Sequence, residues 1–206
     1  MLKLHGFVVS NYFNMVKMAL IEKGIDFEFV ENRPSQEENF LAKSPMGKAP
    51  CIETDEGFLS ETSVILEYLE ERFDGPALMP SEPYARAKVR ELMKEIELYI
   101  ELPARTCFAQ AFFGGSVSDE VKETAKANLI KGVACLKRNA SFSPYVAGDA
   151  LTYADIMFMY SVSLAGACAK RVLDMDLLAD LPEAQVLSKR LAERDSAKQV
   201  AADQKG

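Results

Sequence analysis

The run from Asp74-Gly75-Pro76 to Pro80-Ser81-Glu82-Pro83 constrains the fold most, because proline and glycine there punctuate the chain more strongly than anywhere else. The hydrophobic periodicity differs on its two sides. Before it, strand and helix signals alternate; beyond it, strand alternation fades and helical spacing takes over. Two domains are therefore expected: residues 1–78, a linker at 79–83, and an all-helical segment at 84–206.

In the first domain, Leu2-Lys3-Leu4 and Phe7-Val8-Val9 read as a first strand broken near Gly6. Phe13 to Lys23 carries its apolar residues mostly on one helical face and stops at Gly24. Ile25 to Val30 alternates as a second strand, and Ser35-Gln36-Glu37-Glu38 reads as a capping box for a short helix to about Leu41. Pro50 to Glu53 and Phe58-Leu59 form a hairpin around Asp55-Glu56-Gly57. Thr62 to Phe73 is amphipathic, with Val64, Ile65, Tyr68 and Leu69 expected on its buried side. The order β-α-β-α-β-β-α is a thioredoxin-like layout, α/β in class. Parallel neighbours need the crossover helices, and the last two strands need only a turn.

Downstream, Tyr84 to about Phe113 reads as one long helical stretch kinked at Pro103 and ended by Gly114-Gly115. Ser118 to Arg138 and the apolar Thr152 to Lys170 follow, then shorter helices over Leu173–Leu181 and Glu183–Arg194. The end, from about Gln199 to Gly206, reads as frayed. Thr152-Tyr153-Ala154-Asp155 is a hydroxyl-x-x-acid capping box, a folding element rather than a site.

The segment Lys48 to Leu69 carries the first functional signal. A strand-start proline, a tight hairpin and the acid–hydroxyl pair Glu61-Thr62 at a helix start suit a small zwitterionic peptide. Exposed backbone would hold its middle, and a helix end with a carboxylate would hold its charged terminus. The same pair also reads as a plain helix cap.

Four segments then carry a resemblance: Ser10 to Leu20, Ser44 to Pro50, Ser60 to Leu69 and Gly148 to Asp155. In this order and spacing the chain resembles the cytosolic glutathione transferases of a bacterial, serine-type (theta- or nu-like) kind over nearly its whole length. The resemblance implies a thioredoxin-like N-terminal domain plus an all-α C-terminal helical domain, and a homodimer. It implies glutathione as co-substrate, with no metal or organic cofactor. It also implies a cis bond before Pro50, which turns the Ala49 N–H and C=O toward the glutathione backbone. Thr62 and its N–H would hold the γ-glutamyl carboxylate, Glu61 the ammonium, and Lys48 the glycyl carboxylate.

Transferase chemistry needs the glutathione sulfur as a thiolate, which a hydroxyl donor and a helix N-terminus favour. Ser10, at the start of the first helix, aligns with the activating serine of serine-type members. Tyr12, through its phenol, and Asn14, where a disulfide-handling class carries a glutathione-contacting asparagine, remain alternatives. Tyr99, Arg105, Phe108, Phe112 and Phe113 are candidates for the electrophile pocket, which the resemblance puts between the domains. Arg105 would suit an acidic co-substrate, or simply pair with Glu101 four residues earlier.

Composition narrows the rivals. A formal net charge of -7, with no dense basic run, disfavours nucleic acid and anionic membranes as partners. No apolar run approaches a membrane span, and the scattered Cys51, Cys107, Cys135 and Cys168 fit reduced thiols in the cytoplasm. Cys51 is expected as a small buried hydrophobe. The single histidine, His5, excludes a histidine triad or a multi-histidine metal site. Three rivals stay open: glutathione-dependent disulfide or peroxide reduction, maleyl-type isomerisation, and a non-catalytic binding protein.

Overall fold

The computed structural model describes residues 1–204 of the chain, which fall into two compact units. One joins residues 1–78 to the C-terminal stretch from residue 193; the other is Met79–Ala192. Among the described residues, no helix is long and apolar enough to cross a membrane.

The first unit is a four-stranded mixed sheet with helices. Strands β1 (Leu2–Gly6), β2 (Phe27–Glu31), β3 (Cys51–Thr54) and β4 (Gly57–Ser60) lie in the order β2-β1-β3-β4. β1 runs parallel to β2 and antiparallel to β3, and β3 runs antiparallel to β4. Helices α1 (Asn11–Lys23), α2 (Glu38–Leu41) and α3 (Thr62–Arg72) complete the thioredoxin-like order. Alternation puts Leu2, Leu4 and Ile52 on one face, where they pack with Phe13, Val16, Leu20, Ile65 and Leu69.

Three local expectations are corrected here. Phe7-Val8-Val9 is a turn rather than strand, closed by the Ser10 N–H donating to the Phe7 carbonyl at 3.0 Å. The Ser35 hydroxyl accepts from the Glu37 N–H at 3.1 Å, a turn that delays the short helix to Glu38. On α3, Val64 is exposed and Leu66 is buried in its stead.

In the second unit the long stretch after the linker divides into α4 (Pro83–Ile96), a π-helical turn (Glu97–Glu101), α5 (Leu102–Arg105) and α6 (Phe108–Phe112). Pro103 lacks an N–H to continue an α ladder, and the wider turn immediately before it absorbs the defect. α7 (Asp119–Asn139), α8 (Tyr153–Val172) and α9 (Pro182–Ala192) follow, with the apolar α8 packed against α4, α5, α6 and α9.

The end of the chain is ordered into α10 (Asp195–Asp203), where frayed residues were expected; only Lys205 and Gly206 lie outside the described residues. Its helix is short, so tertiary contacts hold it. Ala197 and Val200 are buried, and Lys17 Nζ lies 2.5 Å from Asp203 Oδ2. Arg194 grips Glu22 with two nitrogens, each at 2.7 Å, and the Ser196 hydroxyl joins the same carboxylate. Burial pushes the Glu22 carboxyl up, but the bonds from Arg194 and Ser196 outweigh it and hold it below its ordinary value.

Candidate active site

The sheet register brings the sequence-predicted residues of the first unit to one end. His5 pairs with Cys51, and Cys51 with Ser60, so these three form one row across β1, β3 and β4. At this row β1 runs out into the Phe7–Ser10 turn, Ala49-Pro50 enters β3, and Glu61-Thr62 leaves β4. Neighbouring strands lie about 4.8 Å apart, so the row covers about 10 Å from β1 to β4. An extended tripeptide has that length. The N-termini of α1 and α3 both begin here and bring their partial positive charge to it.

Ser10 is the N-cap of α1, and its Oγ accepts from the Phe13 N–H at 3.3 Å. That bond uses a lone pair and leaves the hydroxyl proton as a donor. Tyr12, two residues on, is half-buried. Asn14 is only 1% exposed, and its amide donates to the Val8 carbonyl at 2.9 Å.

The Ala49–Pro50 bond is cis. Ala49 precedes the first ladder residue, Cys51, so its N–H and C=O fall outside the sheet ladder. The approach to it is braced. The Ser44 hydroxyl donates to the Lys48 carbonyl at 2.7 Å and accepts from the Lys48 N–H at 3.3 Å. Gly47 takes φ 64, and a Cβ there would collide with the Ser35 carbonyl. Lys48 itself is exposed.

Glu61, not Thr62, is the N-cap of α3, and it supplies no side-chain cap. Its backbone stands at φ 68, ψ 115, a region non-glycine residues rarely adopt and one that clusters at functional sites. Glu61 is exposed and Thr62 is buried, at 7% exposure. Sequence reasoning found this pair but missed the strained backbone, the Ser44 brace and the glycine requirement at residue 47. The only signal for the last two was the Ser44-Pro45-Met46-Gly47 turn composition.

At the β1 position of the row, His5 is 2% exposed. Its Nδ1 lies 2.8 Å from Asn32 Nδ2 and its Nε2 lies 2.9 Å from Glu53 Oε2. With the Asn32 amide donating to Nδ1, the Nε2 proton faces the Glu53 carboxylate; burial lowers the ring's pKa against the pull of Glu53. Burial also pushes the Cys51 thiol up to about 11, so it stays protonated and inert.

The second unit's candidates are more heavily engaged. Arg105 Nε donates to the fully buried Glu101 at 2.6 Å, and its guanidinium lies 5.2 Å from the Phe108 ring centroid. Phe108 is buried and meets Phe112 edge-on at 5.0 Å, while Phe113 and Tyr99 are exposed.

Comparisons with known proteins agree with this layout. Residues 4–77 match the glutathione S-transferase N-terminal domain model, and residues 105–203 match the C-terminal domain model. The chain is 57% identical to a glutathione S-transferase of Pseudomonas putida over 98% of its own length and 92% of that protein's. A crystal structure of maleylacetoacetate isomerase from Methylobacterium extorquens AM1, with bound malonate and GSH, is 26% identical. It superposes with a TM-score of 0.76 over 96% of this chain and 95% of that one. Glutathione transferase F7 from Populus trichocarpa, 23% identical, has the same fold, with a TM-score of 0.81 over 99% of both chains. With both domain models and a close relative matched along its length, this chain belongs to the glutathione S-transferase family.

Proposed function

We propose that this enzyme is a glutathione S-transferase that stabilises the glutathione thiolate with Ser10 for attack on a small electrophile. The observation that carries the reading is the common row at one end of the sheet, where Ser10, Ala49 and Glu61-Thr62 converge. The Ala49 backbone pairs with the middle of the peptide. The Thr62 hydroxyl and N–H take the γ-glutamyl carboxylate, the exposed Glu61 takes the ammonium, and Lys48 reaches the glycyl carboxylate. The Ser10 hydroxyl donates to sulfur while the α1 N-terminus favours its negative charge. Positioning and electrostatics then do the work, and no metal or organic cofactor is needed. The Pseudomonas putida relative named glutathione S-transferase supports the activity, and the GSH-bound isomerase structure supports the co-substrate. A cytoplasmic homodimer completes the reading.

The isomerase alternative needs a cation for an acidic substrate, and Arg105 is held by Glu101 instead. The inert Cys51 thiol weighs against a mechanism in which a protein sulfur attacks. Replacing Ser10→Ala tests the central step. The turnover number should fall about a hundredfold and the pKa of bound glutathione should rise toward its free value. An unchanged thiol pKa, read by ultraviolet thiolate absorbance, removes Ser10 from the role.

A further inference from the structure

We propose that Asn14 and Gln204 are positioning residues whose side-chain amides converge on the Val8 carbonyl and so aim Ser10. The inference rests on the Ser10 reading above. Ser10 sits at the end of the four-residue turn begun by Phe7, and the turn's one internal bond joins the Ser10 N–H to the Phe7 carbonyl. That bond leaves the Val8–Val9 peptide plane free to rotate unless something holds its carbonyl. Two donors do. Asn14 Nδ2 lies 2.9 Å from the Val8 oxygen, and Gln204 Nε2 lies 3.1 Å from it. They come from opposite ends of the first unit's sequence.

Gln204 arrives there because α10 is anchored on α1. Asp203, its chain neighbour, pairs with Lys17 at 2.5 Å, and Lys17 is one turn of α1 beyond Asn14. The ammonium of Lys17 also lies 5.9 Å from the ring centroids of Phe13 and Phe29, and its side chain is only 8% exposed. A mostly buried cation paired at that distance makes a stiff anchor. Glu22 with Arg194 and Ser196 holds the other end of α10. The C-terminal helix therefore reaches the catalytic turn through one hydrogen bond. This gives Asn14 a different task from contact with glutathione: it is 1% exposed, and its amide is directed at the turn. Rotation of the Val8–Val9 peptide would tilt Ser10, and a hydroxyl moved by a few tenths of an ångström loses alignment with sulfur.

The test uses the full chain. Gln204 is exposed, so Gln204→Ala should fold with an unchanged Tm. The expected result is a rise of about half a unit to one unit in the pKa of enzyme-bound glutathione. The turnover profile should move to higher pH with it, while KM for glutathione stays within about twofold. Hydrogen exchange at the Ser10 amide should also quicken, since the turn loses its brace. Asp203→Asn, which weakens the anchor, should move both readouts the same way by less. If Ser10→Ala shifts the thiol pKa and Gln204→Ala does not, the positioning role is overturned while the Ser10 reading stands. If Ser10→Ala leaves the thiol pKa unmoved, the Ser10 reading fails, and exchange at the Ser10 amide judges the brace: quicker in Gln204→Ala supports it, unchanged overturns it.

Discussion

Helices α3 and α8 both open with a hydroxyl and an acid, yet they use them in opposite ways. At α8, Asp155 is fully buried and accepts from the Val146 N–H at 2.7 Å, the Thr152 N–H at 2.8 Å and the Thr152 hydroxyl at 3.0 Å. The acid sits inside the helix and consumes local donors, tying the preceding loop down. At α3 the acid comes one residue before the hydroxyl, on a left-handed backbone, and makes no cap. A helix start with its donors occupied is scaffold. One whose N-cap side chain makes no cap, beside an exposed carboxylate, suits the glutathione-binding role proposed for it.

The largest test of this contrast is Asp155→Ala. It strands two buried amides and should lower unfolding free energy by about 3 kcal/mol, read by chemical denaturation. Glutathione affinity of the folded fraction should not change; a parallel loss of affinity breaks the contrast. Thr62→Ala should do the reverse. Calorimetry should show glutathione binding about tenfold weaker, near 1.4 kcal/mol, with stability changed by less than that.

Glu61→Gly sharpens the point further. Glycine relieves the positive φ, so stability should rise by up to about 1 kcal/mol while glutathione binding weakens. A variant that is destabilised would show that the Glu61 backbone is unstrained. The smallest effect follows from pH. The folded Glu22 carboxyl titrates below its unfolded value of about 4.3, so its stabilisation is complete above that value. It is lost as pH falls through the folded pKa. Exchange of α10 amides should quicken across that window, and Glu22→Gln should remove the dependence.

Much of this was legible beforehand. The succession of strands and helices along the chain, and the hairpin, follow from period and punctuation, since Gly24 ends α1 at φ 66 and Ser118 caps α7 with a bond to the Val121 N–H. The resemblance carried the cis bond at Pro50, and the structure has it. Less legible was α10, whose few apolar residues give a weak pattern. Its order depends on Lys17 and Glu22, far away in sequence. The resemblance suggested Asn14 as a glutathione contact; its burial and its bond to the Val8 carbonyl were not legible, because a polar residue in a first helical turn gives no sign of which way it faces.

By itself the sequence determined the change from a mixed to an all-helical pattern, the family and the residues at the sheet end, because periodicity, breakers and motif order are local properties of the chain; it did not show that the stretch from residue 193 belongs with the first unit and not with 84–192. Only the tertiary structure decided that the acid at α8 folds back on its helix start and that the acid at α3 makes no cap. It also decided that Arg105 is held by Glu101 and that Val8 is held from both ends of the chain. Gln204 finds the Val8 carbonyl across nearly the whole sequence, Arg105 takes one of the two roles its position allowed, and Glu61 adopts a backbone angle that its own side chain would not favour.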